Sequence, residues 1–274
     1  MIIPTFLKWA GGKRKLIKQI DPYIPKKINT YYEPFLGGAS MFFYIKQKYN
    51  PKHCVISDIN EDLINTFKAV RDHPTQLIKK LKYFRDKNSK EFFYKARKKF
   101  NKHTYAGLTR SAAFIYLNKT CFNGLYRVNS KNEFNVPFGN HKHPGIFDEK
   151  TIFLANQLLQ DVEILVQDYR KILHSAKKGD FVYLDPCYDP LKRTSFANYN
   201  PKRFCEKDRI EMAKFIWELR NKKVEFALSN NKIPEMKIYY PLSNFNHIEI
   251  LAPRFINSIG KGRGNIIELL ITAR

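Results

Sequence analysis

Tyr31-Tyr32-Glu33-Pro34-Phe35-Leu36-Gly37-Gly38-Ala39-Ser40, followed by the apolar Met41-Phe42-Phe43, reads as a strand, a glycine turn and the start of a helix. Adjacent glycines let a backbone approach a ligand that side chains would block. A second strand, Cys54-Val55-Ile56-Ser57, ends in Asp58, about 20 residues beyond the glycines, the separation at which a Rossmann-like βαβ unit places a ribose-binding acid. The turn lacks Gly-x-Gly-x-x-Gly, so the expected ligand carries one ribose and no pyrophosphate. An acid that only caps the helix starting near Asn60 is the competing reading. Ala39 should be tolerated in the turn if its φ is negative.

The later part of the chain repeats this layout. Apolar strands are predicted at Val162–Leu165, Phe181–Leu184, Val224–Leu228, Ile248–Leu251 and Ile266–Ile271, with a helix marked by Ile210, Ala213, Ile216 and Trp217. Phe181–Leu184 runs straight into Asp185-Pro186-Cys187-Tyr188, a buried strand that stops at an acid and a proline. In open α/β sheets, ligands bind outside the carboxyl ends of strands, so an acid there is well sited for chemistry. An ordinary Asp-Pro turn is the alternative. Strands and helices alternate before residue 70 and after 160, whereas 71–159 reads differently. Apolar spacing predicts a helix from Ile59 towards Pro74 and another over Ser111–Asn118, and Lys15–Ile20 is helix-like. Residues 79–103 hold eleven Lys or Arg against two acids, interleaved with Phe84, Phe92, Phe93, Tyr94 and Phe100, and read as basic amphipathic helix. The expected architecture is one α/β sheet, residues 1–70 and 160–274, interrupted by a mostly helical insertion at 71–159.

Forty-nine Lys and Arg against 25 Asp and Glu give a net charge of +24, beyond what solubility requires and suited to a polyanionic partner. Aromatics at 15% favour nucleic acid over an acidic membrane surface, because rings stack on bases. Cys54, Cys121, Cys187 and Cys205 lie far apart, which suggests no zinc site, no disulfide framework and a reducing compartment. Neither a signal peptide nor a membrane helix is expected, so no membrane partner and a cytoplasmic location follow. Gly12-Lys13 lacks the Gly at position 7 and the Ser or Thr at position 14 of a phosphate-binding loop, since Leu7 and Arg14 stand there.

Eight segments occur in the order found in one family: Phe6-Leu7-Lys8-Trp9-Ala10-Gly11-Gly12-Lys13, Glu33–Ser40, Asp58-Ile59-Asn60, Tyr116-Leu117-Asn118, Phe122-Asn123-Gly124-Leu125, Glu133–Gly139, Asp185-Pro186-Cys187-Tyr188 and Ser229-Asn230. With them the chain resembles the Dam-like (D12 class, alpha group) DNA adenine-N6 methyltransferases. The resemblance implies a Rossmann-like methyltransferase sheet with a target-recognition subdomain at 71–159. It also implies S-adenosylmethionine as cofactor and double-stranded DNA as partner, with no metal.

The resemblance places Trp9, Lys13, Phe35, Gly37, Asp58, Asp168, Tyr169 and Asp185 around the cofactor, and makes Asp185, Pro186 and Tyr188 catalytic. It sets Lys8, Phe122, Asn123, Leu125, Arg127 and Pro137 against the duplex, with 5′-GATC-3′ as the expected site. The loop Gly260–Gly264 is a further phosphate-contact candidate. Cys187 replaces the family's second proline. Pro186-Cys187 also matches the nucleophile dipeptide of cytosine-C5 methyltransferases, but the Glu-Asn-Val segment which that chemistry needs is absent. The remaining alternatives are an RNA adenine-N6 methyltransferase and a catalytically silent DNA-binding protein. The expected setting is prokaryotic or viral and nucleoid-associated, with a cognate restriction endonuclease acting on the same site as a compatible partner.

Overall fold

The computed structural model describes residues 1–186, 206–253 and 265–274. Its strands are β1 (Thr30–Glu33), β2 (His53–Asp58), β3 (Val162–Val166), β4 (Phe181–Leu184), β5 (Glu225–Asn231), β6 (Phe245–Pro253) and β7 (Asn265–Ala273). Among the described residues they form one sheet in the order β3-β2-β1-β4-β5-β7-β6. The first five run parallel, and β7 lies antiparallel between β5 and β6. Strand order reverses between β1 and β4, which opens a crevice at their carboxyl ends.

Both faces of the sheet are covered, which is why its central strands read as unbroken apolar runs. Side chains alternate across a strand, so Tyr31, Phe181 and Tyr183 join one core while Tyr32, Val182 and Leu184 join the other. The helices are α1 (Ile17–Ile20), α2 (Ser40–Lys48), α3 (Glu61–Asp72), α4 (Pro74–Asp86), α5 (Lys90–Asn101), α6 (Gly107–Thr120), α7 (Glu149–Leu158), α8 (Glu206–Asn221) and α9 (Met236–Tyr239). The core on the second face includes α8 residues Met212, Phe215, Ile216 and Leu219. The core on the first face is larger. It runs from β1 and β2 through α2 and α3 into Leu77, Leu81, Phe84, Phe93, Phe100 and Tyr116 of α4, α5 and α6, without a break.

Local sequence accounts for the element boundaries. Asn60 caps α3 by accepting the Leu63 N–H at 3.0 Å, and α3 buries Leu63, Ile64, Phe67 and Val70 at helical spacing. The basic stretch 79–103 is not one helix. Ser89 accepts the Phe92 N–H at 3.1 Å and starts α5 afresh, because a serine oxygen satisfies an otherwise orphaned amide. Lys15–Ile20 likewise divides into a 3-10 turn at Lys13–Lys15 and the short α1. Ala39 does not meet the negative-φ condition: its φ is +56°, and it is fully buried at the N-terminus of α2. An L-residue in that conformation costs roughly 1–2 kcal/mol, which the packing of α2 offsets. No helix among the described residues is long and apolar enough to cross a membrane.

Candidate active site

Four strand ends supply the crevice. After β1 comes the glycine turn, after β2 Ile59 and Asn60, after β3 Asp168 and Tyr169, and after β4 Asp185 and Pro186. A cavity of about 1630 Å³ is lined by all of them and by Trp9, Lys13 and Glu33. Every residue predicted to contact the cofactor, together with Pro186, therefore faces one space. Among the described residues, no cluster of three metal-binding side chains is present. Tyr188, Cys187 and the Gly260–Gly264 loop lie outside the described residues.

Asp58 closes the floor of the crevice. Its Oδ2 accepts the Gly37 N–H at 3.3 Å and its Oδ1 the Asn60 N–H at 3.0 Å. Burial pushes its carboxyl up to about 6, and the surrounding backbone amides of Asn60, Gly37 and Ile59 oppose the rise. The acid thus ties the glycine turn to the second strand, while Asn60's own side chain serves as the cap of α3. Gly37 has φ +47°, and a Cβ there would sit 2.7 Å from Trp9 Cδ1. Glycine is what lets the turn reach the indole. Phe35 and Tyr169 meet with ring centroids 5.4 Å apart. The Arg170 guanidinium, bonded to Asp168 at 2.7 Å, holds that carboxyl below its usual range.

The catalytic candidate has a partner that the sequence reading missed. Lys13, only 4% exposed, places Nζ 2.8 Å from Asp185 Oδ1 and 3.7 Å from Glu268 Oε2. It also donates to the Gly11 carbonyl at 2.9 Å. The ammonium thus sits between two carboxylates and offsets their charge. Glu33 lines the same space and is 3% exposed. Burial pushes its carboxyl up to about 8; the nearby Asp185 charge adds to the rise, and the hydrogen bond from the Tyr31 hydroxyl at 2.6 Å opposes it. Glu33 ends β1 as its one charged residue, and Glu268 is the one charge within β7.

The six residues predicted to meet DNA form a separate patch beside the crevice. The Phe122 N–H donates to the Pro137 carbonyl at 2.8 Å, and the Asn135 N–H to the Arg127 carbonyl at 3.1 Å. Bridges at Cys121–Phe138 and Val128–Phe134 fix these two segments side by side. Arg127 donates from Nε to Asn135 Oδ1 at 2.8 Å, which orients its guanidinium. Phe122 is 51% exposed, and Asn123 and Pro137 are also exposed. Leu125 is half-buried. Lys8, exposed, lies across Gly124. Tyr126, within this patch, turns inward and stacks on Trp9 at 5.4 Å with an interplanar angle of 15°.

Residues 9–254 match the family described as D12 class N6 adenine-specific DNA methyltransferase. The chain belongs to that family. A type II methyltransferase of Methanocaldococcus jannaschii is 42% identical over 289 residues, covering 99% of each chain. A type II methyltransferase of Lactococcus lactis subsp. cremoris is 37% identical over 273 residues, covering 97% of this chain and 94% of the relative. A DNA adenine methylase of Haemophilus influenzae is 33% identical over 272 residues, covering 97% and 92%. The D12-class membership makes the chain an adenine-specific DNA methyltransferase, and methyltransferases of this family and fold use S-adenosylmethionine in general.

Proposed function

We propose that the chain methylates N6 of an adenine turned out of duplex DNA, within 5′-GATC-3′, and that the crevice between β1 and β4 is where transfer occurs. The observation that carries the reading is the convergence of the Gly37–Gly38 turn, Asp58 and Asp185-Pro186 on one cavity at the point where strand order reverses. At about 1630 Å³ the cavity exceeds the ~300–1,000 Å³ of a single-ligand pocket, so a cofactor and a nucleoside fit together.

The residues suit S-adenosylmethionine. Bare glycine backbone faces the cavity beside Trp9, and Asp58 offers a carboxylate matched to a pair of ribose hydroxyls. Trp9, Lys13, Phe35, Gly37, Asp168 and Tyr169 would complete its enclosure. When bound, the cofactor supplies a methyl group activated by a positively charged sulfur.

The protein's own work is positioning. An adenine amine in the stack cannot be reached, so the base is flipped and Tyr188 provides a stacking face. Asp185 and the Pro186 carbonyl each accept one N6–H bond. That draws electron density onto a nitrogen whose lone pair is otherwise shared with the ring, and it points the lone pair along the line of transfer. Such orientation supplies roughly 7–11 kcal/mol of barrier reduction. Lys13, 2.8 Å from Asp185 Oδ1, fixes the carboxylate's orientation as an acceptor. A pyrimidine carbonyl presented to two acceptors would be repelled.

Residues 71–159 act as the target-recognition subdomain on a catalytic domain of 1–70 and 160–274. Lys8, Phe122, Asn123, Leu125, Arg127 and Pro137 meet the duplex. Arg127, braced by Asn135, pairs with a guanine edge for about 1–3 kcal/mol of discrimination. Leu125 and Pro137 touch a thymine methyl, and Phe122 fills the stack vacated by the flipped base. The net charge of +24 supplies the phosphate attraction. The work is done on cytoplasmic, nucleoid DNA. Two relatives named as type II methyltransferases support a restriction endonuclease as counterpart.

An Asp185→Ala variant tests the reading. Transfer of labelled methyl to duplex DNA should vanish while duplex binding in a gel-shift assay persists; undiminished transfer refutes the assignment. Faster methylation of RNA than of duplex DNA by the wild type would favour the RNA reading.

A further inference from the structure

Asn118 lies in the last turn of α6 and is 1% exposed. Its Oδ1 accepts the Lys8 backbone N–H at 2.8 Å, and its Nδ2 donates to the Lys8 carbonyl at 2.8 Å and to the Gly124 carbonyl at 3.3 Å. One buried amide thus grips the main chain of two segments that are remote from each other in sequence. Lys119, the next residue, donates to the Thr5 carbonyl at 3.4 Å and adds a second hold on the N-terminal strip. Gly124 has φ +63°, and a Cβ there would meet Lys8 Cβ at 2.8 Å, so the lysine stem passes directly over the turn.

The strip so held faces both ways. Lys8 borders the Phe122–Leu125 loop. Trp9, its neighbour, walls the cofactor crevice against Gly37 and stacks on Tyr126. A shift of Lys8 relative to Gly124 therefore moves a duplex contact and the wall of the methyl-transfer site together.

We infer that Asn118 is a positioning residue for base reading: by clamping Lys8 to the Gly124 turn it sets the distance between the lysine and the 122–127 contacts, and so the enzyme's discrimination between duplex sequences. This rests on the reading of Lys8 and residues 122–127 as duplex contacts. Lysine is a long, flexible point charge, so it reads a base only if its stem is aimed. A main chain pinned on both its N–H and its C=O provides that aim.

The experiment uses the full chain, labelled S-adenosylmethionine, and duplexes carrying either the methylated site found by plasmid mapping or that site with one base pair changed. Asn118→Asp keeps the size and the acceptor for the Lys8 N–H, but turns a carboxylate oxygen toward two carbonyls. The ratio of kcat/KM on the cognate duplex to that on the changed duplex should fall about tenfold or more. A purely structural defect lowers turnover on all duplexes alike and leaves the ratio intact. That result in a folded variant overturns the inference. Should Asn118→Asp fail to fold, Gly124→Ala displaces Lys8 from the other side and must show the same fall; an unchanged ratio there is equally fatal. Arg127→Ala separates the two levels. If its ratio is unchanged, the duplex-contact reading has failed and the inference falls with it. If its ratio collapses while Asn118→Asp and Gly124→Ala keep theirs, only the inference is refuted.

Discussion

Acidifying the solution should weaken cofactor binding through Asp58 alone. Its carboxyl is pushed up from 3.8 to about 6 by burial, and the ionised form offers an acceptor oxygen to each ribose hydroxyl, whereas protonation turns one oxygen into a donor. Affinity therefore stays level while the pH is well above 6 and drops about tenfold for each unit below it. From about pH 7 to about pH 5 the association constant for S-adenosylmethionine falls about tenfold. Calorimetry in two buffers of different ionisation enthalpy, near pH 6, should register release of about half a proton per cofactor bound. The folding trend has the opposite sign. A carboxyl raised in the folded state lends stability below 3.8 and loses it as pH climbs through about 6, so this group stabilises the free protein on acidification while affinity declines. That opposition separates linkage from acid unfolding. Asp58→Asn removes two charge-assisted hydrogen bonds, each worth about 1.5–3 kcal/mol, and should flatten the pH profile. Wild-type affinity in Asp58→Asn, or a pH slope that survives in it, refutes the reasoning.

Lys13→Met removes the cation between Asp185 and Glu268 and leaves two carboxylates without it. Single-turnover transfer should slow by about two to four orders of magnitude if the full ~3–5 kcal/mol of a broken buried ion pair falls on the transition state, and quench-flow on bound duplex measures it. Glu33, pushed up to about 8 from 4.5, makes the wild type lose stability as pH rises between those values. Glu33→Gln should remove that part of the slope in urea titrations across the range, and an unaltered slope would show that the carboxyl is not protonated there. Ala39→Gly relieves a left-handed alanine worth roughly 1–2 kcal/mol but adds up to ~1 kcal/mol of glycine entropy. Its melting temperature should match or slightly exceed the wild type, whereas Ala39→Val, fully buried and β-branched, should melt well below it.

Much of the fold was legible because parallel strands buried on both faces leave continuous apolar runs, and each predicted run coincides with a strand of the sheet. Asp58 and Asp185 stood out for the same reason: an acid at the end of such a run has no packing role. Glu33 and Glu268 were visible as lone charges of their strands, but only the sheet shows that Glu33 lines the crevice and that Glu268 lies near Lys13. Lys13 was legible as a pocket residue, but its pairing with Asp185 joins segments far apart in the sequence. Asn118 belongs to one of the family-matching segments, but its role shows only once its three main-chain contacts are seen. Ser89 did carry a signal, a serine one residue before Lys90-Glu91, but the density of lysines on either side masked it. The sign of Ala39's φ depends on how α2 docks, which no local pattern states.

The most direct measurement is to incubate the protein with S-adenosylmethionine and an unmethylated plasmid, then map every modified base. The account predicts N6-methyladenine at 5′-GATC-3′ and at no other sequence, abolished in Asp185→Ala. Methyl groups on cytosine C5, or no modified adenine from a folded, DNA-binding protein, would contradict it.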